Sequence, residues 1–201
     1  MLISTGVRSN REQEGGPWND LWVTRLRGAW LIDIEPREDE RGFLARTRCR
    51  QELAAHSLGT EIAQESLSFN RHRGTIRDLH FQLLPHEEIK IVRCTRGAIF
   101  DVIVDLRPRS PSYLCWQGFE LSAENRRAIY VPKGFAHGFQ TLTDHAEIAY
   151  QISAFYAPEA TGGYRHDDPA FAIAWPLPVT VISERDLGWP AFNRQNTIFR
   201  A

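Results

Sequence analysis

From Leu21 onward, apolar and polar residues alternate in short runs separated by turn-forming Gly, Pro, Asn and Asp. The clearest run is Lys90–Leu106 (KIVRCTRGAIFDVIVDL), where two β-rich segments flank Thr95-Arg96-Gly97. In the second segment Ile99, Asp101, Ile103 and Asp105 share one face, and Phe100, Val102, Val104 and Leu106 share the other. That period of two predicts a half-buried strand. Similar runs predict strands at Trp22–Leu26 and Ala29–Ile34, split at Gly28, and from Phe43. Further strands are expected at Ala63–Asn70, Tyr113–Leu121, Arg127–Val131, Gly138–Leu142 and Ala146–Ala154. Residues 49–58 (CRQELAAHSL) are the best short helix, with Gly59 at the stop position. Many short strands and little helix predict an all-β sandwich or barrel. There is no βαβ alternation, no G-x-G-x-x-G and no G-x-x-x-x-G-K-[ST], which disfavours dinucleotide and P-loop enzymes. Residues 1–20 are polar and Gly-rich and read as a flexible arm before one domain over 21–201.

Composition narrows the class. The 201 residues carry 24 Lys and Arg against 25 Asp and Glu, a formal net charge of −1. No broad basic footprint for nucleic acid is expected. No run of 18 apolar residues exists, so no membrane span is expected. The opening MLISTGVRSNREQEGG is too polar for a signal peptide, which implies the cytoplasm. Cys49, Cys94 and Cys115 cannot all pair and show no C-x-x-C spacing. They read as packing residues.

Two segments concentrate polar chemistry inside β-type sequence. In Gly74-Thr-Ile-Arg-Asp-Leu-His80-Phe-Gln82, His80 has Arg77, Asp78 and Gln82 as neighbours. Polar groups in a strand face solvent or a cavity, and in a cavity they need partners. In Pro132-Lys-Gly-Phe-Ala-His137-Gly-Phe139, Pro fixes a turn and the glycines permit close backbone approach. Taken singly, each reads equally as a structural histidine or a structural turn. Together they resemble the two halves of the cupin signature, a double-sheet β-barrel with a polar pocket. Metal-binding cupins carry H-x-H in the first half; here the second histidine is Gln82. His80, Glu87 and His137 are the remaining candidate ligands, and the broken motif argues for no metal.

The resemblance sharpens over residues 30 to 190. The stretches Asp39-Glu-Arg-Gly-Phe43, Arg77-Asp-Leu-His-Phe-Gln82, Lys90-Ile-Val-Arg-Cys94, Phe100-Asp-Val-Ile-Val-Asp105 and Pro132-Lys-Gly-Phe-Ala-His-Gly-Phe139 recur in order. Tyr156-Ala-Pro158 and Ser183-Glu-Arg-Asp186 follow. The chain resembles the dTDP-4-dehydrorhamnose 3,5-epimerase family, metal-free cupins acting on nucleotide-linked 4-keto-6-deoxyhexoses. The resemblance implies a cupin-type jelly roll with a few short helices, no cofactor and a nucleotide-diphosphate sugar as substrate. It also implies a homodimer in which N-terminal strands are swapped.

Inverting a carbon beside a ketone needs a base, a group that holds the enolate oxygen, and an acid on the opposite face. By resemblance His80 is the base, oriented by Asp186, Lys90 holds the enolate, and Tyr150 is the acid. Arg77 and Arg185 match basic positions near the diphosphate. Arg41 matches an arginine supplied by the partner subunit. Gln64 and His137 match residues lining the substrate, Ser66 stands at a substrate-binding position where Asn is usual, and Tyr156, with Phe155, matches the ring that stacks on the pyrimidine. Several positions depart from the family pattern: Arg37, Arg46, Ser66, Thr161 and Asp78. Asp78 stands where Gly is usual, between Arg77 and His80, and is expected to compete with phosphate for Arg77. These departures leave three alternatives open: a single-centre epimerase, a ketoisomerase on a CDP- or GDP-linked sugar, and a non-catalytic sugar-nucleotide-binding cupin.

Overall fold

The computed structural model describes residues 19–193. Most of the expected arm therefore lies outside the described residues, while Asn19 and Asp20 already belong to the first strand. Thirteen strands and two short helices follow in order among the described residues. A six-stranded antiparallel sheet contains β1 (Asn19–Val23), β2 (Trp30–Ile34), β10 (Ala128–Val131), β7 (Lys90–Arg96), β12 (Ala146–Ile152) and β5 (Gln64–Asn70), in that spatial order. A five-stranded antiparallel sheet contains β13 (Thr161–Tyr164), β6 (Ile76–Gln82), β11 (Phe135–Thr141), β8 (Ala98–Asp105) and β9 (Trp116–Ser122). The remaining strands, β3 (Arg37–Asp39) and β4 (Gly42–Leu44), form a separate hairpin. Helix α1 (Arg50–Ala55) is shorter than expected and buries Leu53.

The inward faces of the two sheets meet on Val92, Cys94, Ile99, Ile103, Ile129, Phe139 and Ile148. Alternation explains the choice, since each of these lies two residues from another inward position on its strand. Sheet packed on sheet gives the double-sheet barrel that the strand pattern and the cupin resemblance both imply.

Strand β8 departs from the half-buried reading. Its outward Val102 and Val104 are as enclosed as its inward Ile99 and Ile103. The outward side is roofed by Tyr164, Phe171, Trp175 and Phe192 from the C-terminal segment. The cysteine reading holds for Cys94, whose burial pushes the thiol up to about 11. It fails for Cys115, which is exposed.

Asp105, at the end of β8, is wholly buried and receives Arg107 Nη2 at 2.7 Å and Ser112 Oγ at 2.6 Å, with Ser110 Oγ also donating. Burial pushes its carboxyl up, but these donors outweigh burial and hold it below the ordinary 3.8. A carboxylate lowered on folding contributes stability above its unfolded pKa and loses it as pH falls through the folded one. The melting temperature should therefore fall as pH drops below about 4. Asp105→Asn should flatten that acid limb in a calorimetric pH series; parallel limbs would rule the cluster out as its source.

Candidate active site

His80 sits on β6, between β13 and β11. The β6–β11 register runs His137 opposite His80, then Phe139 opposite Arg77. Three residues on β6 thus span two on β11, which is a β-bulge. Gly138 lies at the bulge, where a Cβ would meet the Arg77 carbonyl oxygen at 2.7 Å. The extra residue lets Arg77 and His80 share the inward side despite their odd spacing. Arg77 Nε donates to Asn70 Oδ1 of β5 at 2.9 Å.

His80 Nε2 lies 2.8 Å from Asp186 Oδ1. Asp186 belongs to α2 (Glu184–Leu187), whose first turn is capped by Ser183 Oγ accepting from Asp186 N at 3.1 Å. Its second oxygen accepts from Asp78 N at 3.3 Å. Burial pushes the Asp186 carboxyl up; the hydrogen bond and charge of His80 and the Asp78 amide reverse this and hold it below the ordinary range. A carboxylate so held fixes the imidazole's orientation and stabilises its protonated form.

The expected competition between Asp78 and Arg77 does not occur. Neighbours on a strand face opposite sides, so the Asp78 side chain points away from Arg77, where Oδ1 accepts from His166 N at 2.8 Å and lies 3.2 Å from His166 Nδ1. Burial raises the Asp78 carboxyl, with His166 opposing. Arg77 thus keeps its guanidinium on the inward side.

His137, the register partner of His80, places Nε2 2.7 Å from Asp101 Oδ2. Its ring meets Tyr150 edge-on, 6.0 Å between centroids. Tyr150 lies on β12 in the opposite sheet, so His137 is the point where the sheets' polar groups come together. Burial, with the Asp101 anion adding to it, pushes the Tyr150 phenol far above its ordinary value. It stays protonated at neutral pH, as an acid must. Lys90 opens β7 on the same face as Val92 and Cys94, and its Nζ pairs with Glu88 Oε1 at 2.9 Å. His80, Asp186, Lys90 and Tyr150 thus come from both sheets and the C-terminal segment.

The residues expected to recognise the nucleotide are partly brought together. Gln64 Oε1 accepts from Tyr156 N at 2.6 Å. Hydrogen bonds with Thr161 and Arg185 hold the exposed Tyr156 phenol below its ordinary value. Ser66 is the register partner of Tyr150. Arg41 is not brought to this pocket; it sits exposed on the β3–β4 turn and pairs with Asp39 at 2.6 Å. Arg37 and Arg46 lie in and just after the same exposed hairpin.

Among the described residues no three His, Cys, Asp or Glu side chains converge as a metal-ligand set, so His80, Glu87 and His137 do not form one. Gln82, at the position of the second cupin histidine, spends its amide on structure. Nε2 donates to His86 O at 2.9 Å and Glu88 Oε2 at 3.0 Å, and Oε1 accepts from Ala157 N at 2.7 Å. Sequence reasoning missed Asp101, Glu88 and Trp189 at the site. Asp101 alone left a signal, an acid on the same face as Ile99 and Ile103.

The family profile described as dTDP-4-dehydrorhamnose 3,5-epimerase matches residues 23–194. A relative of that name from Sinorhizobium fredii is 43% identical over 180 residues, 88% of this chain and 92% of its own. A dTDP-4-dehydrorhamnose 3-epimerase from Streptomyces niveus is 40% identical over 162 residues, 80% of this chain and 78% of its own. The crystal structure of a dTDP-6-deoxy-D-glucose-3,5-epimerase from Legionella pneumophila, in complex with dTDP-4-keto-L-rhamnose, superposes with a TM-score of 0.83 at 30% identity. It covers 91% of this chain and all of that one. With the profile spanning both histidine strands and the Asp186 turn, the chain belongs to the dTDP-4-dehydrorhamnose 3,5-epimerase family.

Proposed function

We propose that this enzyme epimerises a dTDP-linked 4-keto-6-deoxyhexose at C3 and C5 by proton transfer beside the ketone. The observation that carries the reading is the His80–Asp186 pair with Tyr150 approached through His137 from the facing sheet. With Nε2 on Asp186, the other nitrogen of His80 takes the proton from carbon. The electron pair moves onto the C4 oxygen, where the Lys90 ammonium holds the enolate. Tyr150 returns a proton to the opposite face, and exchange with solvent resets both groups. Repeating the cycle at the second carbon inverts it.

Arg77 and Arg185 bind the diphosphate, and Tyr156 stacks on the base. Arg41 acts in the site of a second copy. The exposed hairpin carries it beside Phe43 and Leu44, 45% and 68% exposed, as a homodimer interface requires. The enzyme works in the cytoplasm as a single domain whose first described strand opens at Asn19.

The test is incubation with dTDP-4-keto-6-deoxyglucose in D2O, followed by proton NMR. Loss of both the C3 and C5 signals is expected. Loss of one alone replaces the reading with a single-centre epimerase. No exchange removes this substrate, and the CDP- and GDP-linked sugars become the next trials.

A further inference from the structure

The wall beside His80 is built differently from the rest of the pocket. On one flank His80 has His137 of β11 as its register partner. On the other it has Gly163 of β13, the edge strand of its sheet among the described residues. A glycine there leaves the flank of the imidazole without a side chain on the paired strand. The gap is filled from elsewhere by the Trp189 indole. A Cβ on Gly163 would lie 2.4 Å from Trp189 Cε2 and 2.6 Å from Nε1. The indole meets the His80 ring edge-on, 6.0 Å between centroids at 66°.

Trp189 and Asp186 come from one turn. Trp189 N donates to Asp186 O at 3.3 Å, so the carboxylate and the indole are set together by the end of α2. Trp189 Nε1 is buried and makes no well-formed hydrogen bond among the described residues, and its N–H lies close enough to Asp186 to help hold that carboxyl below its ordinary range. Arg185 places its guanidinium over the indole, 5.5 Å from the ring centroid. Edge-on aromatic contact of this kind is favourable and directional. A close-packed ring also excludes water from the carboxylate–imidazole bond, and that bond strengthens as water leaves.

We infer that Trp189 is a positioning residue for proton transfer: seated over Gly163, it packs against one flank of His80 and locks the imidazole in the orientation that Asp186 selects. This rests on the reading of His80 as the base. Trp189 itself touches the base rather than the reacting carbon.

The pairing with Gly163 gives a sharp test. In Gly163→Ala the new methyl meets a side chain at the pocket edge, so the indole gives way and the sheet does not. Gly163→Ala and Trp189→Ala should each lower kcat for deuterium exchange about tenfold, with KM changed by less than about threefold. The double variant should match Trp189→Ala alone, because the methyl then has nothing to displace. Trp189→Phe should recover most of the rate. Multiplying losses in the double variant, about a hundredfold, would overturn the inference.

A readout without substrate separates this from the choice of sugar. Long-range 1H–15N NMR should show His80 as one tautomer in the parent and as an averaged mixture in Gly163→Ala and Trp189→Ala. One tautomer in all three overturns the inference even if rates fall. A tautomer change alongside a parent inactive on this sugar supports Trp189 and sinks the substrate instead.

Discussion

His80→Ala should lower the rate of deuterium exchange about a thousandfold, inside the range of 10²–10⁴ found for a positioned base. Asp186→Asn should follow closely. It leaves the ring's neighbour in place but removes the charge that stabilises the imidazolium. Neither change removes a diphosphate ligand, so binding of TDP measured by calorimetry should stay within about threefold of the parent. A rate loss under tenfold for His80→Ala would show that another group takes the proton. His137 would then be the first to examine, since it is the neighbouring imidazole and also holds a carboxylate, Asp101.

Gly138→Ala should cost about 2–3 kcal/mol of stability, at the upper end of what forcing atoms into packed space usually costs. The added Cβ meets backbone, the Arg77 carbonyl oxygen at 2.7 Å and the Asp78 carbonyl carbon at 2.9 Å, so no side-chain rotation relieves it. For a chain of this size that loss should lower the melting temperature by about 5–10 °C. Activity should fall further than stability, because relieving the clash means opening the bulge that places Arg77 and His80 together. Urea unfolding and the exchange assay read the two separately. An unfolding free energy unchanged within about 0.5 kcal/mol would show that the bulge yields freely and does not set the site.

The two glycine effects described for this site are opposite in kind. Gly138 faces backbone and its substitution strains the fold. Gly163 faces an indole and its substitution moves one ring. The close backbone approach expected of the glycines in Pro132–Phe139 is met at Gly138, whereas Gly163 lies outside every expected strand and only its neighbours reveal its role.

Legibility varied in the same way along the strands. The β8 alternation correctly paired Ile99 with Asp101 and Ile103 on one face, and that face does meet the opposite sheet. The fate of the other face depended on Tyr164, Phe171 and Trp175, some sixty to seventy residues away, which cover it. Asp78 is the clearest misreading. Adjacent to Arg77, it was expected to compete for that arginine, but strand alternation puts the two on opposite faces and Asp78 meets His166. Adjacency in sequence says little about adjacency in space along a strand.

The sequence by itself determined the strand periods, the two histidine motifs and the family to which they belong. These are local, because alternation and turn chemistry depend on near neighbours. What only the tertiary structure decided is which carboxylate each imidazole meets, which side of the bulge each charge takes, and what closes the pocket. Asp186 reaches His80 across 106 residues and Asp101 reaches His137 across 36. Such contacts are set by how two sheets and a C-terminal turn pack, and packing is a property of the whole core rather than of any one segment.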